Sequence, residues 1–197
     1  MELARRITVG LRSAPLLRIV EAKRRPEHGG IPKQPGLYAW WCDPTVVPGG
    51  AITTTHPEGL YELLYVGIAP GRANSKAELR GRLLRQHVGG NVGSSTFRFG
   101  LAALLWQRNG WMPGLSLGGK VKLCREHNRE LSKWQQDNLR LSWFVLTEPW
   151  RGALEADVIA QMRPPMNQSH NSHHVFHKAM SDARKAFKLA ALARGVC

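Results

Sequence analysis

Two short apolar runs, each closed off by chain-breaking residues, constrain most strongly how this chain can fold. The run over residues 36–41 lies between Pro35 and Pro44, and the run over residues 63–68 ends before Pro70. Each run is rich in aromatic and aliphatic residues and has the length of a buried strand, whereas an isolated helix needs ten residues or more. The pattern predicts two short strands that pair antiparallel across a long connection.

A third strand and several helices complete the predicted architecture. Apolar residues alternate over residues 139–145, as on one face of a strand. The spacing predicts helices over residues 76–88, from a cap at Thr96 to Trp106, over 127–137, over 151–162 and over 175–194, with irregular chain over 107–121. The expected fold class is α/β (α+β), with a small three-stranded antiparallel sheet flanked by helices.

A chain of 197 residues fits one domain with small extensions. We expect a basic N-terminal arm or helix over residues 1–33 and a central domain over residues 34–169. The Pro- and Gly-containing stretch at residues 43–60 is an inserted loop in that domain. Residues 170–197 are expected to form a basic amphipathic helix packed on the same domain.

The charge balance indicates a polyanionic partner. The chain has 28 Lys and Arg against 14 Asp and Glu, a formal charge of +14. Each basic side chain that neutralises a phosphate releases a condensed counterion, so nucleic acid leads among the partners that such a charge favours. Anionic membrane surfaces and ribosomal or chromatin-like partners share this signal, and charge alone does not indicate catalysis.

Cysteine use and the apolar pattern bear on where the chain functions. Its three cysteines are far apart in sequence, which predicts reduced thiols rather than a disulfide framework or a cysteine-rich zinc site. There is no run of eighteen apolar residues, and arginines interrupt the N-terminus too often for a signal peptide. The expected location is cytoplasmic, without a membrane partner and in association with the nucleoid if the chain binds DNA.

One carboxylate conflicts with its predicted surroundings. On a helix over residues 151–162, the apolar residues Leu154, Val158, Ile159 and Met162 form one stripe, and Glu155 lies near its middle while Asp157 points away. Desolvating a lone carboxylate is costly, so Glu155 is expected to meet a cation, a metal ion or a hydrogen-bond network. A bridge to a core arginine or a tryptophan indole would satisfy it as well.

The two strands supply the residues that favour a metal ion. Two of the three tyrosines, Tyr38 and Tyr65, lie in the triplets Gly-Leu-Tyr and Tyr-Val-Gly of the two strands. After them come an arginine-rich helix with Arg82 and His87, the helix with Glu155, and then Asn167. Each triplet alone is a weak signal, but the five elements in this order resemble the GIY-YIG nuclease family over residues 36–167.

The resemblance implies metal-dependent hydrolysis of DNA phosphodiester bonds on this fold. Glu155 would hold one Mg²⁺ or Mn²⁺, and Asn167 would close the site by bonding the backbone or the first tyrosine. Tyr38 matches a tyrosine proposed as general base, Tyr65 matches one that positions the attacking water, and His87 matches a histidine that assists proton transfer. Which of these three is the chemical base stays open, since a phenol is a poor base at neutral pH.

The phosphate-clamping arginine of the family corresponds to Arg82, with one departure. In many members the arginine and histidine are four residues apart, whereas Arg82 and His87 are five apart, about 140° around an unbroken α-helix. Either the helix loosens before Gly89, or Arg80 or Arg85 takes the clamp.

Further residues are candidates for DNA contact. They lie in the arginine-rich helix or in the glycine-rich stretch that follows, whose backbone N–H groups suit phosphates, and comprise Arg80, Arg85, Asn91, Ser94, Ser95, Thr96 and Arg98. Loop and capping duties explain the residues of the glycine-rich stretch equally well. The histidines at 170, 173, 174 and 177 lack a nearby cysteine or acidic residue to complete a zinc ligand set.

Other functions fit the sequence less well or leave parts of it unexplained. The cluster His170–His174 lacks the spacing of an HNH nuclease, and Glu21 lacks the upstream residues of a PD-ExK site. A non-catalytic nucleic-acid-binding module on the same fold accounts for the charge but leaves the tyrosines and Glu155 as coincidence. Within the nuclease class, the insertions are similar to those of restriction endonucleases, while repair or recombination nucleases leave the same pattern. A homodimer is a further possibility.

Overall fold

The structure, a computed structural model, describes residues 2–46, 54–71, 75–147 and 153–197. Its main sheet has four antiparallel strands in the order β1 (Leu17–Arg18), β6 (Leu139–Val145), β2 (Gly36–Cys42) and β3 (Glu62–Ala69). The prediction of three strands is therefore one short of the structure. The added strand is only two residues long and pairs with Leu141 and Arg140, too short to leave an alternating pattern in the sequence.

Helices surround the sheet. They are α1 (Glu2–Ser13), α2 (Ile19–Ala22), α3 (Thr96–Leu105), α4 (Arg125–Asn138), α5 (Leu154–Met162) and α6 (His177–Arg194), with a π-helix over Gly81–Val88 and 3₁₀ turns at Pro26–His28 and Val92–Ser94. Among the described residues, none of these helices is long and apolar enough to cross a membrane.

The central strand β2 is apolar throughout because both of its faces are covered. Leu37, Ala39 and Trp41 face a cluster formed with α1 and α5, while Tyr38 and Trp40 face a cluster formed with the π-helix, α3, α4 and α6. Every residue of β2 is buried. The mixed fold with helices on both sides of a small antiparallel sheet is thus confirmed.

Several predicted elements change in detail. Ser95, not Thr96, caps α3, since its hydroxyl accepts a hydrogen bond from the Arg98 backbone N–H. The stretch expected to be irregular contains a hairpin of β4 (Pro113–Leu115) and β5 (Val121–Leu123). Three-residue strands give too little alternation to be recognised in the sequence.

The cysteines also depart from expectation. Cys124 and Cys197 form a disulfide, 73 residues apart in sequence but with Cα atoms 5.5 Å apart, while Cys42 is free and buried. The prediction of reduced thiols is wrong for this pair, because only the folded chain brings the C-terminus beside the start of α4. Residues 47–53 of the predicted insertion, and the start of the helix predicted from residue 151, lie outside the described residues.

Candidate active site

The two tyrosines lie side by side because β2 and β3 pair in a defined register. Tyr38 pairs with Gly67, and Trp40 pairs with Tyr65. A Cβ atom at Gly67 would lie 2.3 Å from the Tyr38 hydroxyl oxygen, so the phenol occupies the space that any other residue would need. A β-bulge after Trp40 leaves Leu64 without an opposing residue, and Tyr65 faces the same cluster as Tyr38. Their ring centroids are 6.5 Å apart.

A buried hydrogen-bond chain starts at the first tyrosine. The Tyr38 hydroxyl oxygen lies 2.6 Å from Nε2 of His87, and Nδ1 of His87 lies 2.6 Å from the hydroxyl oxygen of Ser95. All three side chains are buried. Both imidazole nitrogens therefore have a hydroxyl partner, and the proton on the ring can sit on either nitrogen.

The π-helix resolves the unusual spacing of Arg82 and His87. Its i→i+5 geometry extends to the C-cap, where the Gly89 N–H donates to the Leu84 carbonyl. Such geometry stacks residues five positions apart, whereas an α-helix would turn them away from each other. Arg82 consequently lies close enough to Tyr38 to lower the pKa of its phenol, and Tyr38 is the residue that bonds His87. The helix loosens, which is one of the two alternatives that the spacing left open.

Glu155 lies on α5 beside a polar cavity of about 230 Å³. The cavity is also lined by Tyr65, Arg82 and Thr96 and by the segment from Asn167 to His170. The neighbouring residues of the predicted stripe, Leu154, Val158, Ile159 and Met162, are buried, and Asp157 is exposed. Glu155 is only partly buried, so its carboxylate is at the boundary between the apolar wall and the cavity.

Asn167 covers the edge of the sheet. Its amide oxygen accepts from the Val66 N–H at 3.0 Å, and its amide nitrogen donates to the Val66 carbonyl at 2.8 Å. The preceding residue, Met166, donates its N–H to the Leu64 carbonyl. Because β3 is the last strand of the sheet, this segment satisfies backbone groups that have no strand neighbour.

Burial sets the protonation of these groups. It raises the pKa of Tyr38 well above its ordinary range, and it raises the pKa of Tyr65 to about 12. Burial and the nearby Arg82 and Arg98 guanidinium groups hold the pKa of His87 well below its usual value, so the imidazole is neutral at pH 7. Burial raises the pKa of Glu155, while His170, Arg82 and the Ile68 backbone N–H act in the opposite direction.

Comparison with known families fits this geometry. The family model described as the GIY-YIG catalytic domain matches residues 36–186, more than half of the chain. The chain belongs to the GIY-YIG family. Membership implies a nuclease of the endonuclease superfamily, whose members generally depend on a divalent metal ion. No curated protein and no solved structure matches the chain.

Three of the arginines predicted near the GIY-YIG site have separate surroundings. Arg82 lines the active-site cavity, whereas Arg80 donates to the carbonyls of Lys23, Arg24 and Ile31 in the N-terminal segment. Arg85 is exposed beside another depression with Lys33 and Glu78. The cavity therefore receives its guanidinium from Arg82, the position that the family motif indicates.

Arg98 has no contact with the cavity. It is fully buried, and its guanidinium donates to carbonyls of the π-helix and to side chains of α4, namely to His87, Val88, Asn128, Ser132 and Gln135. Burial lowers its pKa to about 10. A side chain enclosed in this way cannot reach a phosphate, so the predicted DNA contact of Arg98 disagrees with the structure.

The glycine-rich stretch has mixed surroundings. The Asn91 side chain caps the 3₁₀ turn by accepting a hydrogen bond from the Gly93 N–H. Ser95 is buried, and its hydroxyl bonds Nδ1 of His87. Ser94 and Thr96 are exposed, and Thr96 lines the active-site cavity. The predicted phosphate contacts are thus accessible at Asn91, Ser94 and Thr96 and inaccessible at Ser95.

His170 lines the active-site cavity, although the sequence does not predict a role for it in the GIY-YIG site. It lies three residues after Asn167, has a left-handed backbone with φ of 60°, and faces Glu155 closely enough to act on its pKa. The histidine cluster marks this residue only as a zinc or HNH candidate. Its position shortly after the asparagine of the motif is the one signal in the sequence that points to the cavity.

Proposed function

We propose that the chain is a metal-dependent endonuclease that hydrolyses DNA phosphodiester bonds. The observation that supports this most directly is the convergence of Glu155, Arg82 and Tyr65 on one cavity of about 230 Å³. A carboxylate, a guanidinium and a phenol are the groups required to hold a hard cation, clamp a phosphate and orient a water molecule.

The donor set fits Mg²⁺ or Mn²⁺. Glu155 is the carboxylate that lines the cavity, and no cluster of three or more His, Cys, Asp and Glu side chains with the arrangement of a metal site occurs among the described residues. Magnesium suits such a site because it keeps several waters and uses one or two carboxylates together with substrate phosphates. Glu155 would hold the ion, which when bound polarises the phosphate and stabilises the leaving oxygen.

The chain's own residues divide the remaining work. Arg82 binds the scissile phosphate and stabilises the charge that develops on it. Tyr65 faces the cavity and orients the attacking water, whereas Tyr38 is sealed behind it. His87 is neutral at pH 7, and in the tautomer with the proton on Nδ1 its Nε2 accepts a hydrogen bond from the Tyr38 hydroxyl, which fixes the orientation of the phenol. Asn167 fixes the edge strand that positions Tyr65.

Glu155→Gln tests the proposal. The change keeps the size of the side chain and removes the charge that holds the ion, which costs several kcal/mol of transition-state stabilisation, so cleavage should fall at least about 100-fold. Asp157→Asn on the exposed face of the same helix is the matched control and should cleave like the wild type. The assay follows plasmid, single-stranded and branched DNA with Mg²⁺, Mn²⁺ or EDTA.

The outcomes separate the candidate functions. Defined fragments from a plasmid support a restriction role, and cuts at junctions support a structure-specific repair role. A wild type that shifts DNA on a gel without cutting it, with binding that weakens as salt rises, would show instead a non-catalytic binding module on this fold. Equal cleavage by Glu155→Gln and wild type would refute the role of Glu155.

A further inference from the structure

A second cavity, of about 350 Å³, adjoins the active-site cavity. The two share Thr96 in their walls. Its floor is the stretch that leads into α3, and its other wall is α6; the lining includes Thr96, Phe99, Arg184 and Lys188. The second cavity therefore lies between Thr96, at the edge of the active site, and the C-terminal helix.

Two cationic side chains of α6 dominate this second cavity. Arg184 and Lys188 are one helical turn apart, and each lies 5.8 Å from the centroid of the Phe99 ring. Neither takes part in a salt bridge among the residues that the structure describes. The cavity thus gathers two positive charges without a carboxylate to balance them.

Arg184 is held at the boundary between the two cavities. Its Nη2 atom donates to the Thr96 carbonyl at 3.2 Å, while its Nε is buried and has no hydrogen-bond partner in the described part of the chain. Burial lowers the pKa of Arg184, and the nearby Tyr65 phenol acts in the opposite direction. A guanidinium that is partly desolvated and has unused donors favours an anionic ligand.

We propose that this cavity binds a second phosphate of the DNA strand that is cut, next to the phosphate held by Arg82. This inference rests on the proposed function. Arg184 and Lys188 supply the charge, and the exposed Thr96 adds a hydroxyl donor. A polynucleotide fits better than a free anion because the two phosphate positions lie in adjoining cavities, so one strand reaches both.

The consequence is a second anchor point for the DNA strand, formed by residues outside the family motif. Binding a neighbouring phosphate fixes the direction of the strand through the active site and so aligns the scissile bond with Tyr65 and Glu155. The C-terminal helix thereby becomes part of the substrate-binding surface.

Arg184→Gln and Lys188→Gln test the inference, with Lys185→Gln as the matched control. Lys185 is exposed on the same helix and lines neither cavity. A fluorescent duplex is titrated in EDTA at several salt concentrations, and the slope of log Kd against log salt is compared. Loss of one phosphate contact should reduce the slope by about 0.9, and the double variant should lose about twice that.

Affinity and rate give a second readout. Each single variant should bind roughly tenfold more weakly, since a hydrogen bond to a charged group is lost. In single-turnover cleavage the DNA concentration at half-maximal rate should rise by a similar factor. Binding and salt slopes equal to those of Lys185→Gln would overturn the inference. If Arg184→Gln does not fold, the exposed Lys188→Gln decides the question alone.

The experiment separates this inference from the proposed function. Altered slopes in Arg184→Gln and Lys188→Gln, together with a wild type that never cuts DNA, would support the phosphate site and refute hydrolysis. Cleavage by the wild type, with slopes unchanged in both variants, would support hydrolysis and refute the phosphate site.

Discussion

Gly67→Ala is the substitution that most directly links strand register to chemistry. The added Cβ would lie 2.3 Å from the hydroxyl oxygen of Tyr38 and 2.5 Å from its Cζ. Ordinary contacts begin at 3.4 Å, so the phenol must move by about 1 Å. Its ring is fully buried, and no free space receives it without displacing neighbouring side chains.

The size of the effect follows from that displacement. The Tyr38–His87 hydrogen bond, 2.6 Å in the native chain, would lengthen to about 3.6 Å and be lost. Overpacking costs about 1–3 kcal/mol, which corresponds to a fall in melting temperature of about 2–12 °C. Tyr38 packs beside Tyr65, and a displacement of about 1 Å even away from the reacting atoms should lower the single-turnover rate roughly 100-fold.

Thermal melting and single-turnover cleavage measure the two effects separately. Gly118→Ala is the control, because the atom nearest to its added Cβ is 4.0 Å away. The control should match the wild type in both assays. A Gly67→Ala variant with unchanged melting temperature and a cleavage rate within about twofold of the wild type would refute the reasoning.

Two further predictions concern buried groups. Burial holds the pKa of His87 low in the folded chain, so unfolding lets the imidazole bind a proton below its ordinary pKa of about 6.5, and the free energy of unfolding should fall as pH drops through that value. Urea titrations above and below this pH should show a smaller drop in His87→Gln; equal drops would contradict the prediction. Arg98→Met leaves the buried Gln135 Oε1 without its donor and removes one of the two side-chain donors to the Val88 carbonyl, so it should lower the free energy of unfolding by about 3 kcal/mol. Lys185→Ala serves as its control in the same titration, and an Arg98→Met variant as stable as this control would show that the buried network contributes little.

The family could be recognised from the sequence because the residues of its motif lie in strands and a helix that short-range patterns predict. Strands β2 and β3 are recognisable because both faces are covered and the runs are continuously apolar. The 3.6-residue repeat of the helix is enough to show that Glu155, a charged residue, lies among aliphatic side chains that are buried. Most of the catalytic motif was therefore predictable.

The surroundings of the arginines were not predictable from the sequence. The sequence does not distinguish the four arginines of this basic stretch. In the structure, Arg80 bonds the N-terminal segment and Arg82 lines the cavity, whereas Arg85 is exposed and Arg98 is buried. Long flexible side chains take their partners from whatever the fold places within reach, and those partners are far away in sequence.

The sequence by itself determined the sheet core, the position of Glu155 on its helix and the order of the motif, because strand and helix periodicities are local properties. Only the tertiary structure decided that a π-helix aligns Arg82 with His87, that His170 and Arg184 border the active site, and that Cys124 meets Cys197. Each of these depends on contacts between segments far apart in the chain, where packing and desolvation outweigh local preference.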